Sequence, residues 1–406
     1  MRLFYQRLRE FIRRNFVMFC IFTLVVSVVT LVSIGVIMLT STGAYAQEAK
    51  GDPAYFLKRQ LSWLAVGTLM AVFAALIDYR KIEKYRWWIY GVSALLLILC
   101  FVPVVGRNIN GARRWIGIGT QNAQPSELAK MAAIIMIAWW YSRKEMLTKN
   151  LRVPRAKEFK EGFLFPLGIV MGLIVLIAPE VDLGSSCLIG GTALIMMYVA
   201  GARFWHLAML AVLGFASLAL VIKLMPERTG RFMAFLHPEQ YPKDAYQQMQ
   251  GLVAFAAGCM DGRGLGEGMQ KFFYLPYAHT DFIFPMVGEE LGLRCTLTVV
   301  VAFLSLLLTG AVVAMKSRDH FGKLLGFGIV VLLALQAVLN IGVTTMLLPN
   351  KGLPLPFISY GGSNLAFCLA GIGLIISIYR RGYGESHDPD GAQLREKILT
   401  RPTPRM

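Results

Sequence analysis

The run Tyr274-Leu-Pro-Tyr-Ala-His-Thr-Asp-Phe-Ile-Phe-Pro-Met-Val-Gly-Glu-Glu-Leu-Gly292 puts one carboxylate, Asp281, where a long polar stretch gives way to an apolar one. An acid at the edge of hydrocarbon is partly desolvated, which lifts its pKa towards working pH. Asp281 is therefore a candidate general base or metal ligand. Asp is also a favoured N-cap, and on this residue alone both readings stand open. His279 and Thr280 lead into it, and Glu289 and Glu290 follow inside the apolar run as further candidates for a cavity wall.

Other polar groups sit at comparable seams. In Gln124-Pro-Ser-Glu-Leu-Ala-Lys130, Pro125 suits a first helical turn, and Ser126, Glu127 and Lys130 share one helix face. The pair either faces a wet cavity or neutralises itself structurally. Upstream, Arg107-Asn-Ile-Asn-Gly-Ala-Arg-Arg-Trp115 supplies Arg107, Arg113 and Arg114, which could clamp phosphate or bind lipid headgroups. Asp182, in the turn Pro179-Glu-Val-Asp-Leu-Gly184, either caps the next helix or lines a cavity. The stretch Leu348 to Ser363 carries Lys351, Ser359 and several prolines and glycines. It cannot be one continuous helix, and such backbone is tolerated at membrane depth only inside protein or beside a cavity.

The elements that must hold these groups are membrane spans. Hydrophobic residues make up 56% and charged residues 16% of the chain, well below the roughly 25% charged content of soluble domains. Apolar runs of about 18 residues or more recur, enough to cross a bilayer. We place about ten spans, near 16–40, 59–77, 87–105, 124–141, 162–178, 184–200, 206–224, 283–310, 325–347 and 363–379. The fold class is thus an all-α polytopic membrane protein, one domain over 1–381, with a large extracytoplasmic loop at 225–282 and a disordered tail at 382–406. Within the loop, Asp244 to Phe255 has the spacing of a short helix lying on the membrane surface.

The net charge of +17 would suggest nucleic acid, but its distribution follows the positive-inside rule. Arg2 to Arg14, Arg80 to Arg86, Arg143 to Lys160, Lys316 to Lys323 and the tail from Arg380 fall on one side, which puts both termini in the cytoplasm. Ala44-Tyr45-Ala46 mimics a signal-cleavage site, yet the preceding apolar stretch is too long for a signal core of roughly 7–15 residues, so it is a retained span. Six scattered cysteines suggest neither a disulfide framework nor a CxxC metal site. Gly262-Arg-Gly-Leu-Gly-Glu-Gly268 lacks the strand and βαβ unit of a dinucleotide loop.

Taken in order, Asn110 to Ile116, Gln124 to Lys130, Asp182-Leu-Gly184, Ala278 to Phe284 with Gly288 to Gly292, and Lys351 to Ser363 resemble the SEDS family (shape, elongation, division and sporulation) of peptidoglycan glycosyltransferases, which includes FtsW and RodA. Gly264 to Pro276 is more similar to the FtsW division branch. Tyr277 stands where the family usually has Glu and Val181 where it has Pro, so no acidic role attaches to 277. The resemblance implies ten spans in a bacterial cytoplasmic membrane and lipid II as substrate for septal glycan synthesis. It implies an inverting transfer with undecaprenyl pyrophosphate leaving. Asp281 would act as base, directly or with a divalent cation, Mg²⁺ or Mn²⁺, bridging to pyrophosphate. Arg107, Arg113, Arg114, Lys130 and Lys351 would offset the leaving charge. Implied partners are a class B penicillin-binding protein transpeptidase and other division or elongation proteins. A lipid II flippase and a non-catalytic activator of the transpeptidase are the competing expectations.

Overall fold

In the computed structural model, residues 2–43, 52–103, 105–109, 112–118, 121–149, 159–180, 182–272 and 274–384 are described. Thirteen α-helices and a small sheet follow one another: α1 (Arg2–Thr42), α2 (Tyr55–Leu76), α3 (Tyr79–Lys84), α4 (Arg86–Leu99), β1 (Gly106–Ile109), β2 (Ala112–Ile118), β3 (Gln121–Ala123), α5 (Pro125–Lys149), α6 (Phe165–Ile177), α7 (Leu183–Val199), α8 (Phe204–Leu224), α9 (Pro226–Leu236), α10 (Pro242–Gly258), α11 (Ile283–Met315), α12 (His320–Thr344) and α13 (Gly362–Gly384). A π turn at Lys160–Leu164 leads into α6, and a 3₁₀ turn at Ala178–Glu180 follows it.

Each expected span coincides with a helix. Seven stretches are long and apolar enough to cross a membrane among the described residues, and α4 and α7 are shorter apolar helices. This is a multi-pass membrane protein. The remaining span, α5, carries Glu127 and Lys130 in its first turns and lies at the centre, against α4, α7 and α12. α13 packs on α2, and α1 on α11. The core is aliphatic, from Leu24 and Leu31 of α1 through Ile134 and Met136 of α5 to Ile375 of α13. α8 is the outlier, with Trp205, Phe215 and Leu224 all exposed, as expected of a helix facing lipid.

Several boundaries differ from the sequence expectation. α4 stops at Leu99, and residues 106–109, 112–118 and 121–123 form a three-stranded antiparallel sheet in the order β1-β2-β3. The basic stretch expected as a loop from 142 is helical to Lys149, because α5 runs on past the apolar core. The tail expected from 382 begins later: α13 continues to Gly384, and 385–406 lie outside the described residues, as do Ala44-Tyr45-Ala46. The helix expected in the large loop exists as α10. It is docked rather than lying free on a surface: Ala245, Gln248, Gly251 and Ala254 are buried, and the helix packs on α11.

α11 is broken at Gly292, where φ is +74°, a left-handed conformation that only glycine adopts cheaply. The loop after α10 fills the break. Leu293 N–H donates to Cys259 O at 3.0 Å, Arg263 N–H to Glu289 O at 2.9 Å, and Gly264 N–H to Glu290 O at 3.0 Å. A β-carbon on Gly292 would lie 2.4 Å from Gly262 N.

Candidate active site

The sheet, the first turns of α2, α5, α7 and α13, and two irregular segments surround a cavity of about 330 Å³. The first irregular segment is the turn before α11, which carries Asp281. The second is residues 345–361, which run from α12 to α13 without regular structure. Its prolines lack backbone donors, and three side chains of α10 and α12 bind carbonyls of the segment. Gln336 donates to Pro354 O at 2.8 Å, Asn340 to Leu353 O at 2.6 Å, and Gln248 to Leu348 O at 2.9 Å. From Leu353 to Ser359 the segment is largely buried in protein, and it borders the cavity, as its composition demands.

Asp281 lines this cavity, and its carboxylate makes no hydrogen bond to another described residue. Its pKa is raised to about 6, first by burial and then by Asp182, while Arg114 pulls the other way. It is not the N-cap of α11; that position belongs to Phe282. The turn is held from behind: Ser359 Oγ donates to Thr280 O at 2.7 Å, and Tyr360 N–H to His279 O at 3.0 Å. His279 is buried against Phe56, and burial pushes its pKa down to about 4, so it stays neutral and serves as packing. Tyr277 (φ +56°), at the start of the turn, and Phe357 (φ +67°), within the irregular segment, adopt left-handed backbone, a strain of roughly 1–3 kcal/mol each of the kind that clusters at functional sites.

Asp182 combines both of its sequence readings. It caps α7 by accepting from Ser185 N–H at 3.1 Å, and it lines the cavity. Its other oxygen accepts from Ser185 Oγ at 2.7 Å, Gln124 Nε2 at 2.9 Å and Ser126 Oγ at 3.4 Å. Ser126 is thus buried in this network. Lys130 and Glu127 pair at 2.8 Å while only 2% and 4% exposed, and Asn364 donates to the same Glu127 oxygen at 3.0 Å. The pair lines the cavity and also neutralises itself.

The cations divide. On β2, Arg114 reaches the cavity and donates to Glu180 O at 3.0 Å; Arg113, one residue earlier on an alternating strand, is exposed and does not line it. Arg107 is exposed and bonded to Asn122 at 2.8 Å, also outside the lining. Lys351 donates to Leu183 O at 2.8 Å and Cys187 Sγ at 3.1 Å, which ties the irregular segment to α7 instead of the cavity. Arg59 lines the cavity from α2 and was missed; a charge at the first turn of an apolar span was the available signal.

Glu289 and Glu290 do not join Asp281. Both point into the large loop and hold it. Glu289 accepts from Met269 N–H at 2.8 Å; Glu290 accepts from Gly266 N–H at 2.9 Å, Ser41 Oγ at 2.6 Å and Lys271 Nζ at 2.9 Å. Trp63, Trp115, Tyr277 and Tyr360 add aromatic surface to the cavity. Among the described residues no group of three His, Cys, Asp or Glu side chains could hold a metal alone.

The cell cycle protein family of FtsW, RodA and SpoVE matches residues 22–383. A probable peptidoglycan glycosyltransferase FtsW of Geobacter metallireducens is 40% identical over 358 residues, 88% of this chain and 93% of that protein. Stage V sporulation protein E of Bacillus subtilis is 36% identical, over 88% of this chain and 96% of the relative. Among solved structures, a chain from a peptidoglycan synthase complex that coordinates polymerization and crosslinking matches with a TM-score of 0.71 at 28% identity, covering 89% of this chain and 97% of the other. The rod shape determining protein RodA of Thermus thermophilus matches with a TM-score of 0.64 at 27% identity, covering 89% and 96%. With the matched region running from within the first span to the last helix, this chain belongs to the FtsW, RodA and SpoVE family of cell cycle proteins.

Proposed function

We propose that this protein is a peptidoglycan glycosyltransferase that polymerises lipid II at the outer face of the bacterial cytoplasmic membrane, in septal synthesis. The observation that carries the reading is the carboxylate of Asp281, raised in pKa and without a hydrogen bond to another described residue, opening into a cavity flanked by Arg59, Arg114 and Lys130. The end of the bundle that holds the cavity is the outer one, by the positive-inside rule, and both termini are cytoplasmic.

Asp281 takes the proton from the C4 hydroxyl of an acceptor GlcNAc as that oxygen bonds to C1 of a donor MurNAc. The bond from C1 to the phosphate oxygen breaks with its electron pair leaving on undecaprenyl pyrophosphate, and C1 inverts. Arg114, Arg59 and Lys130 stabilise the charge that develops there. Asp281 is the residue that would hold a divalent cation, Mg²⁺ or Mn²⁺, were one bound with the substrate. Such ions take oxygen ligands, and the cavity's other carboxylates, Asp182 and Glu127, are already engaged by protein donors. Its chemistry there would be charge neutralisation of the leaving group.

A transporter needs polar groups through the full membrane depth. Here, beyond Lys130, Met131 to Ala138 of α5 are buried and apolar, and the void that borders Glu127, Gln336 and Cys368 is small, about 10 Å³. This favours surface chemistry over flipping. A class B penicillin-binding protein is the natural partner, since a structural relative comes from a complex that couples polymerization to crosslinking. Glycan synthesis from lipid II by the purified protein, with and without divalent cation, tests the reading; vesicles that translocate lipid II without polymerising it would overturn it.

A further inference from the structure

Asn340 sits on α12, one turn beyond Gln336 on the same face, and is 1% exposed. Both hydrogens of its side-chain amide are used. One goes to the backbone carbonyl of Asp281 at 2.8 Å, the other to that of Leu353 at 2.6 Å. Its own oxygen is buried without any partner. Flipping the amide would set that oxygen against two carbonyls, so the orientation is forced. An unpaired buried acceptor opposes folding. What offsets that cost is what its two donors hold.

What they hold are the two chain segments that face each other across the cavity wall at Asp281. Ser359 and Tyr360 already stitch the neighbouring residues Thr280 and His279 to the irregular segment. Gln336 already anchors that segment through Pro354. Asn340 is the side chain that bonds the peptide of Asp281 itself.

We propose that Asn340 is the positioning residue for Asp281: its amide clamps the Asp281 and Leu353 carbonyls together and so fixes where the aspartate stands relative to the acceptor hydroxyl. The proposal rests on the base role given to Asp281 above. A displacement of about 1 Å of a reacting group costs on the order of 100-fold in rate, whereas groups that bind substrate elsewhere in the cavity are untouched.

Asn340→Leu removes both donors at similar volume. In steady-state polymerisation of lipid II, kcat is expected to fall about 100-fold, with KM and the Kd for lipid II in nanodiscs within about two-fold of wild type. Asn340→Thr, which cannot reach both carbonyls, is the companion variant should the leucine protein fail to fold, and the same split is expected of it. Unchanged kcat in a folded variant overturns the proposal. So does a loss that appears in KM and Kd, which would make Asn340 a support for the binding cavity as a whole. Asp281→Asn runs alongside: full glycan output from it would sink the base assignment, whereas an inactive Asp281→Asn beside a fully active Asn340→Leu would sink the present inference alone.

Discussion

Asp281 and Gly352 approach each other so closely that a β-carbon on Gly352 would lie 2.6 Å from the carboxylate Oδ2. The contact joins the turn before α11 to the irregular segment between α12 and α13. Gly352→Ala must displace one of them, and the carboxylate, which bonds no other described residue, is the softer side. Glycan polymerisation is expected to drop about 10- to 100-fold, with the melting temperature nearly unchanged. A fully active alanine variant would show that the carboxylate has no fixed working position.

The ionisation of Asp281 sets a pH limit. A base must be deprotonated, so turnover should fall as pH drops through about 6, well above the ordinary aspartate range. Arg114 opposes the upward shift, so Arg114→Gln should move the midpoint higher still. Stability runs the opposite way. A carboxylate whose pKa is raised on folding binds more protons when folded, so its effect is to weaken the fold as pH rises through that window. A pH–rate profile of both proteins checks the first two statements, and a midpoint near 4 would contradict them.

Glu127 and Lys130 form a buried ion pair. Removing one partner leaves an uncompensated charge and is expected to cost about 3–5 kcal/mol. Glu127→Leu combined with Lys130→Met should recover much of that stability while activity stays lost, because a cavity cation is gone. Thermal unfolding in detergent, beside the glycan assay, separates the two effects.

Lys271, Glu290 and Ser41 pin the large loop to α1 and α11. Glu290→Gln should loosen residues 262–272 selectively. Faster hydrogen exchange in that loop, with the turn at 277–282 still protected, is the expected pattern. Equal loosening of both would mean that the carboxylate supports the site directly.

Much of this arrangement could be read from residue order. Long apolar runs have few alternatives to spanning helices, and Asp281, Glu127 and Lys130 announced themselves because charge at such seams is costly. The sheet at 106–123 was less visible. Its Asn110-Gly111 pair is a hairpin signal, but the short strands carry arginines that mask alternation. The destinations of Glu290 and Lys351 could not be read at all. Their partners, Ser41 and Leu183, lie 249 and 168 residues away in the chain, and only the folded packing brings them together. Asn340 was hidden for a similar reason: a lone amide in an apolar helix gives no sign of which carbonyls it will meet.

The most direct measurement is glycan polymerisation from lipid II by purified wild-type protein and Asp281→Asn, with lipid II binding measured on the same preparations. The aspartate-base account predicts that wild type makes glycan, and that the variant binds lipid II with similar affinity yet makes none. Glycan output from Asp281→Asn at the wild-type rate would contradict it.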